Sequence, residues 1–229
     1  MRIPSPTSRR SPVPWTPREV GLSGAAVALV YSVSHGLLLH MPRLRRPAVL
    51  IGLELLLLVP VGAVVCWKHH VRWATLGFRT FPCEAIKWGG GALVQFYLYA
   101  FVYGLVLMPL HVRIHNPVVS MVKRYSPAFM ILLVVVLAPF IEEIFFRGFV
   151  FAGLRQRYSR PTSAVMSAVL FALLNLQWTR FVPLAVMGYL LADLYERSNS
   201  LWPPIVTHVL MNAFALGFAY WRLSTGLPR

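Results

Sequence analysis

"LAPFIEEIFFRGF", residues 137–149, lies inside a run that is otherwise apolar, with Ile-Leu-Leu-Val-Val-Val (131–136) before it and Val-Phe-Ala-Gly-Leu (150–154) after it. Two adjacent glutamates and an arginine in such a stretch are costly. On insertion scales an ionisable side chain at the centre of a bilayer costs about 2.5–3.5 kcal/mol, so each needs a partner or a task. On a helix Glu143 and Arg147 are four apart and share a face, while Glu142 points about 100° away from Glu143. Arg147 can therefore hold Glu143, leaving Glu142 freer to meet a water or a substrate. Pro139 removes a backbone donor three residues before Glu142 and is placed to kink the helix at the carboxylates.

The rest of the chain shows that this stretch is set in a membrane. Of 229 residues 57% are hydrophobic and 13% charged, and the mean hydropathy is +0.63, outside the balance of soluble domains. Windows of about 20 apolar residues, enough to cross the hydrocarbon core, recur along nearly the whole sequence. Seven spans are predicted, at 20–40, 48–67, 85–110, 128–152, 162–178, 181–196 and 200–221. All should be helices, because backbone groups in lipid must be satisfied internally and the runs lack the alternating period of barrel strands. The predicted fold class is all-α, a polytopic helical bundle of about seven transmembrane helices. Residues 1–19 (MRIPSPTSRRSPVPWTPRE), rich in proline, serine and arginine, read as a disordered basic tail, and residues 20–229 as the transmembrane helical domain. Residues 20–40 are long enough to remain as an uncleaved anchor.

Lys and Arg outnumber Asp and Glu by 22 to 7, and the sequence pI is about 10.9. The basic residues fall mostly in short segments between apolar runs, where they meet anionic headgroups, so the lipid bilayer is the expected partner and nucleic acid is not. Counting them on alternate sides of the membrane favours the N-terminus inside. Cys66 and Cys83 form no CxxC pair and read as free thiols. Glu54, in the second span, is expected to pair with the basic loop at 43–46. Asp193, Glu196 and Arg197 are expected at the interface, as are His35, His40, His69, His70, His111 and His115.

Two further spans carry polar residues at helical spacing. "HVLMN" puts His208 and Asn212 on one face, where both can donate to a developing oxyanion and His208 can also move protons. "FALLN" puts Phe171 and Asn175 on one face. Each pair alone reads more readily as interhelical glue than as chemistry.

Together these stretches resemble one family. "EEIFFR" fits Glu-Glu-x-x-x-Arg, "FALLN" stands where that family has Phe-x-x-x-His, and "HVLMN" fits His-x-x-x-Asn, in the order and spacing of the CPBP intramembrane proteases. These are also called the Abi or type II CAAX-protease family, and include prenyl-protein endopeptidases and bacteriocin-processing or immunity proteins. The flanking "LAPFIEEIFFRGFVFAGLR", "LFALLNLQ" and "SLWPPIVTHVLMNAF" share the family's texture, and the resemblance covers about residues 76–216. It implies an all-helical bundle with a buried site in which Glu142 activates water for attack on a peptide carbonyl, supported by Glu143 and Arg147. His208 and Asn212 would stabilise the oxyanion. The substrate would be a peptide or protein at the membrane, the location a bacterial cytoplasmic membrane crossed several times, with no cofactor and no metal.

One departure stands out. The family's second-motif histidine is thought to share water activation with the first glutamate, and here the position is Asn175, which can hold a water but cannot take its proton. The alternatives are a glutamate protease using Glu142 alone as base, or an impaired relative acting as an immunity, scaffold or binding protein. A metalloprotease is disfavoured because no HExxH is present and few ligands remain. A serine protease would rest only on Ser23 in "GLSG" (21–24), which reads as packing among small residues. A transporter is disfavoured by the lack of inverted repeats.

Overall fold

The computed structural model describes residues 13–41, 46–110 and 117–225. The tail at 1–12, Arg43 and Arg45 of the basic loop, and His111 and His115 lie outside the described residues. Helices run over α1 (Pro17–His40), α2 (Pro47–Lys68), α3 (Glu84–Leu110), α4 (Pro117–Val122), α5 (Pro127–Leu154), α6 (Arg160–Leu174), α7 (Phe181–Ser198) and α8 (Trp202–Thr225). Each predicted span is helical, and the protein is an integral, multi-pass membrane bundle. Five of the described helices, α1, α2, α3, α5 and α8, are long and apolar enough to cross a membrane. The count of seven is not matched by that measure: α6 has 15 residues, and α7 carries Asp193, Glu196 and Arg197 in its last two turns.

The segment read as a disordered tail is already placed at its C-terminal end. Trp15 is fully buried and its Nε1 donates to Phe149 O at 2.9 Å. Thr16 and Glu19 form a capping box at the start of α1, satisfying two otherwise orphaned backbone donors. The sequence signals were present in Thr-Pro-x-Glu, but the surrounding prolines and arginines masked them.

α5 is the hub, since every residue from Glu143 to Leu154 is buried. α1 and α6 pack on its C-terminal half, α2 packs on Ala138–Glu143, and α8 lies along its N-terminal half. α6 and α7 form the closest helix pair: a Cβ on Gly188 would stand 2.9 Å from the Cα of Ala168, so only glycine permits that approach. Within the 89–91 glycines, Gly89 serves α3–α8 packing, because a Cβ there would lie 2.6 Å from Thr207 Oγ1. The helix ends on one side of the bundle are tied by ion pairs. Glu19 meets Lys68 and His69, each at 2.8 Å; Glu196 meets Arg155 at 3.1 Å; Asp193 meets Arg160 and Arg197.

α5 is not a regular α-helix. Residues Ile131–Leu137 and Ile144–Phe151 are wound as π-helix on either side of the α-helical turn Ala138–Glu143. Ala138 N–H reaches back five residues to Leu133 O, so the next donor in register would be Pro139, which has none. The proline thus leaves the Val134 carbonyl open just before the glutamates.

Candidate active site

The α-helical turn Ala138–Glu143 and the π-wound stretch after it bring Glu142, Glu143 and Arg147 to the centre of the bundle, opposite α8 and the end of α6. Glu143 is fully buried. Its Oε1 lies 2.7 Å from Arg147 Nη1 and 2.8 Å from His208 Nδ1. Arg147 is also fully buried: Nη2 donates to Gly188 O at 3.1 Å, and the guanidinium lies 5.2 Å from the Phe171 ring centroid. The same glycine that lets α7 approach α6 therefore offers the carbonyl that orients Arg147. The predicted Glu143–Arg147 pair is present, and His208 joins it.

His208 stands between the two glutamates, with Nε2 3.5 Å from Glu142 Oε2. Its ring meets Phe171 edge to face at a centroid distance of 6.0 Å.

Asn212, one turn along α8, donates from Nδ2 to Val134 O at 2.8 Å. That is the carbonyl Pro139 leaves without a partner, so Asn212 ties α8 to the distorted helix where the glutamates begin. An amide nitrogen carries two hydrogens, and the second remains for another acceptor. Asn175 follows the last turn of α6; its Nδ2 donates to Phe171 O at 2.9 Å, leaving Oδ1 as its other polar atom.

Two cavities meet this cluster. The larger, about 500 Å³, is lined by Glu142, Asn175 and Gln177 together with Tyr31, Leu50, Leu53, Glu54 and Leu57. The smaller, about 200 Å³, is lined by Glu142, Asn175, His208, Asn212, Glu54 and Arg180 among others. Ser23, buried in α1, lines neither. Among the described residues no group of three or more His, Cys, Asp or Glu side chains is arranged to hold a metal ion.

All six sequence-chosen residues, Glu142, Glu143, Arg147, Asn175, His208 and Asn212, are thus gathered at one place. Glu54 is the residue the spacing rules missed. Arg43 and Arg45 of the loop it was expected to pair with lie outside the described residues; among the described residues Glu54 makes no ion pair and faces the same cavities as Glu142, with Oε2 buried and unpartnered. The signal was a lone acid on an otherwise apolar face of α2, with Leu50, Leu53 and Leu57 as its helical neighbours.

Residues 124–214 match the family model described as "Type II CAAX prenyl endopeptidase Rce1-like". The Bacillus subtilis (strain 168) protein named "Putative membrane peptidase YdiL" is 30% identical over 87 residues, 38% of this chain and 36% of that protein. The match spans about a third of that relative's length. No solved structure matches the chain at a significant level. The segment that holds all six motif residues is therefore the one similar to the type II CAAX prenyl endopeptidases, as the three motifs implied.

Proposed function

We propose that this protein is an intramembrane endopeptidase of the glutamate type, acting on a peptide or protein substrate at the membrane. One observation carries the reading: Glu142 faces a cavity large enough for a peptide segment, while Glu143, its neighbour, is held by Arg147 and His208. A carboxylate held by its neighbours is scaffold; one facing space beside a potential donor can act on water.

In the reaction, a water between Glu142 and Asn175 gives a proton to the Glu142 carboxylate as its oxygen bonds to the scissile carbonyl carbon. Asn175 Oδ1 accepts a hydrogen bond and fixes the water without taking its proton. The oxyanion forms beside His208 Nε2–H and the second Nδ2 hydrogen of Asn212. With Nδ1–H engaged by Glu143, an Nε2–H donor requires the doubly protonated ring. Delivery of a proton to the amide nitrogen lets the C–N bond break. Glu143 and Arg147 touch no reacting atom and position His208.

The second reading, an immunity or scaffold protein that binds without cutting, is favoured by Asn175 alone, since that side chain offers no proton acceptor. Reconstitution separates the two. Proteoliposomes holding the full chain are given a pair of internally quenched peptides, one with a farnesylated cysteine four residues from the C-terminus and one unmodified. The endopeptidase yields a single cut, located by mass spectrometry. Binding of either peptide with no product from either supports the second reading.

A further inference from the structure

Glu54 stands outside the family-like segment, yet the structure sets it at the place where the family-like site is short of a group. Position 175 holds an amide that cannot carry a proton, and the water-activating machinery of α5, α6 and α8 is left with one carboxylate facing the cavity. α2 packs directly on Ala138–Glu143, the turn that carries Glu142. Its cavity-lining residues are Leu50, Leu53, Glu54 and Leu57, the i, i+3, i+4, i+7 stripe of one helical face, and Glu54 is the polar member. Tyr31 of α1 donates to the neighbouring Leu53 O at 2.9 Å and so fixes this turn of α2 against α1.

We propose that Glu54 is the second proton-carrying residue of this site, forming with Glu142 a carboxyl–carboxylate pair that does the work a histidine at 175 would do. The proposal rests on the endopeptidase reading above. Glu142 and Glu54 both line the larger and the smaller cavity. Arg147 and His208 lie against Glu143, and His208 also lies 3.5 Å from Glu142, so no basic group of that cluster is left for Glu54. Arg180 and His35 also reach these cavities, but neither forms an ion pair with Glu54, and Arg180 Nη1 is engaged 2.8 Å from Gln177 Oε1. A second charge in the same cavity would repel the first, so the pair holds one proton between them, and His208 Nε2, 3.5 Å from Glu142 Oε2, favours Glu142 as the ionised member and Glu54 as the proton carrier. Glu54 Oε2 is buried without a hydrogen-bond partner, and the side chain lines the same cavities as Glu142.

The proton balance closes. Ionised Glu142 takes a proton from water as the water oxygen bonds to the carbonyl carbon. As the tetrahedral species collapses, the carbonyl double bond re-forms, the C–N bond breaks, and Glu54 gives its proton to the departing amine nitrogen. The proton now on Glu142 passes to Glu54 and restores the starting pair. The products are a carboxylic acid and an amine, and the two side chains end as they began.

The test uses the full chain in proteoliposomes and whichever of the two quenched peptides the wild type cuts faster. Glu54→Gln, which keeps size and polarity, is expected to lower kcat by about 10²-fold or more while KM moves by less than about threefold. Adding Asn175→His to that variant is expected to recover at least about tenfold, because a proton acceptor returns to the site. A merely structural glutamate would not be rescued by a histidine on another helix. A second readout needs neither turnover nor a folded variant: dicyclohexylcarbodiimide, which attacks neutral carboxyl groups in apolar surroundings, should modify Glu54 of the wild type, as mapped by peptide mass spectrometry. Turnover by Glu54→Gln within about threefold of wild type, no gain on adding Asn175→His, or an unmodified Glu54 would each overturn the proposal. A wild type that cuts neither peptide overturns the endopeptidase reading and this catalytic role together. An active wild type indifferent to Glu54→Gln overturns the role of Glu54 alone.

Discussion

The two sides of His208 differ in kind. On one side Glu143 and Arg147 are fully buried and engaged: Glu143 holds Arg147 and His208 through Oε1, and Arg147 also reaches Gly188 O and lies by the Phe171 ring. On the other side Glu142, Asn175 and Glu54 line open space, and no direct hydrogen bond joins any two of them. Adjacent residues in the sequence, Glu142 and Glu143, fall on opposite sides of this divide because successive helical positions diverge by about 100°. A membrane protein tolerates buried charge where it is paired, and leaves a charge facing a cavity where it has a task.

Breaking the closed side should cost the fold. Arg147→Ala leaves Glu143 buried without its guanidinium, and loss of one partner of a buried pair is typically worth about 3–5 kcal/mol. The expected outcome is poor accumulation and an early thermal unfolding transition in detergent, measured by intrinsic fluorescence. Normal stability would mean that His208 alone suffices to hold Glu143.

His208 belongs to both sides, and its loss should divide accordingly. His208→Ala is expected to lower kcat by about 10²–10³-fold through the missing oxyanion donor. Because Glu143 keeps Arg147, the variant should still insert and fold. Equal losses in turnover and stability would place His208 with the scaffold only.

Asn212 sharpens the boundary between positioning and chemistry. Asn212→Ala reopens the Val134 carbonyl, and an unsatisfied buried acceptor costs about 1–3 kcal/mol. The effect should appear as faster hydrogen exchange over residues 131–143 together with lower kcat. A loss of kcat with unchanged exchange would assign Asn212 to the oxyanion alone.

Much of this arrangement was legible in the sequence because charges in an apolar run announce their cost. The Glu143–Arg147 pair followed from i, i+4 spacing, and the convergence of α5, α6 and α8 followed from three motifs on apolar segments. Other parts depended on tertiary facts that no window of sequence contains. The π-winding of α5 cannot be read from a proline that signals only some distortion, so the partnership of Asn212 with Val134 O was hidden. The place of Glu54 beside Glu142 was hidden because in sequence the arginines at 43–46 are its nearest opposite charges, while in space it lines the same cavities as Glu142 of α5. The burial of Trp15 was hidden by a tail-like composition, since one tryptophan docking on Phe149 outweighs several polar neighbours.

The central claim is that Glu142 is the water-activating base, and Glu142→Gln tests it most directly. The change keeps shape and hydrogen-bonding capacity but removes the proton acceptor, and Glu142 has no part in the Glu143–Arg147 pair, so the variant should insert and melt like wild type. The measurement is single-turnover cleavage of the quenched peptide in proteoliposomes at matched protein. A fall of at least about 10²-fold with peptide binding retained is the predicted result. Cleavage within about threefold of wild type by a normally folded Glu142→Gln protein would contradict it.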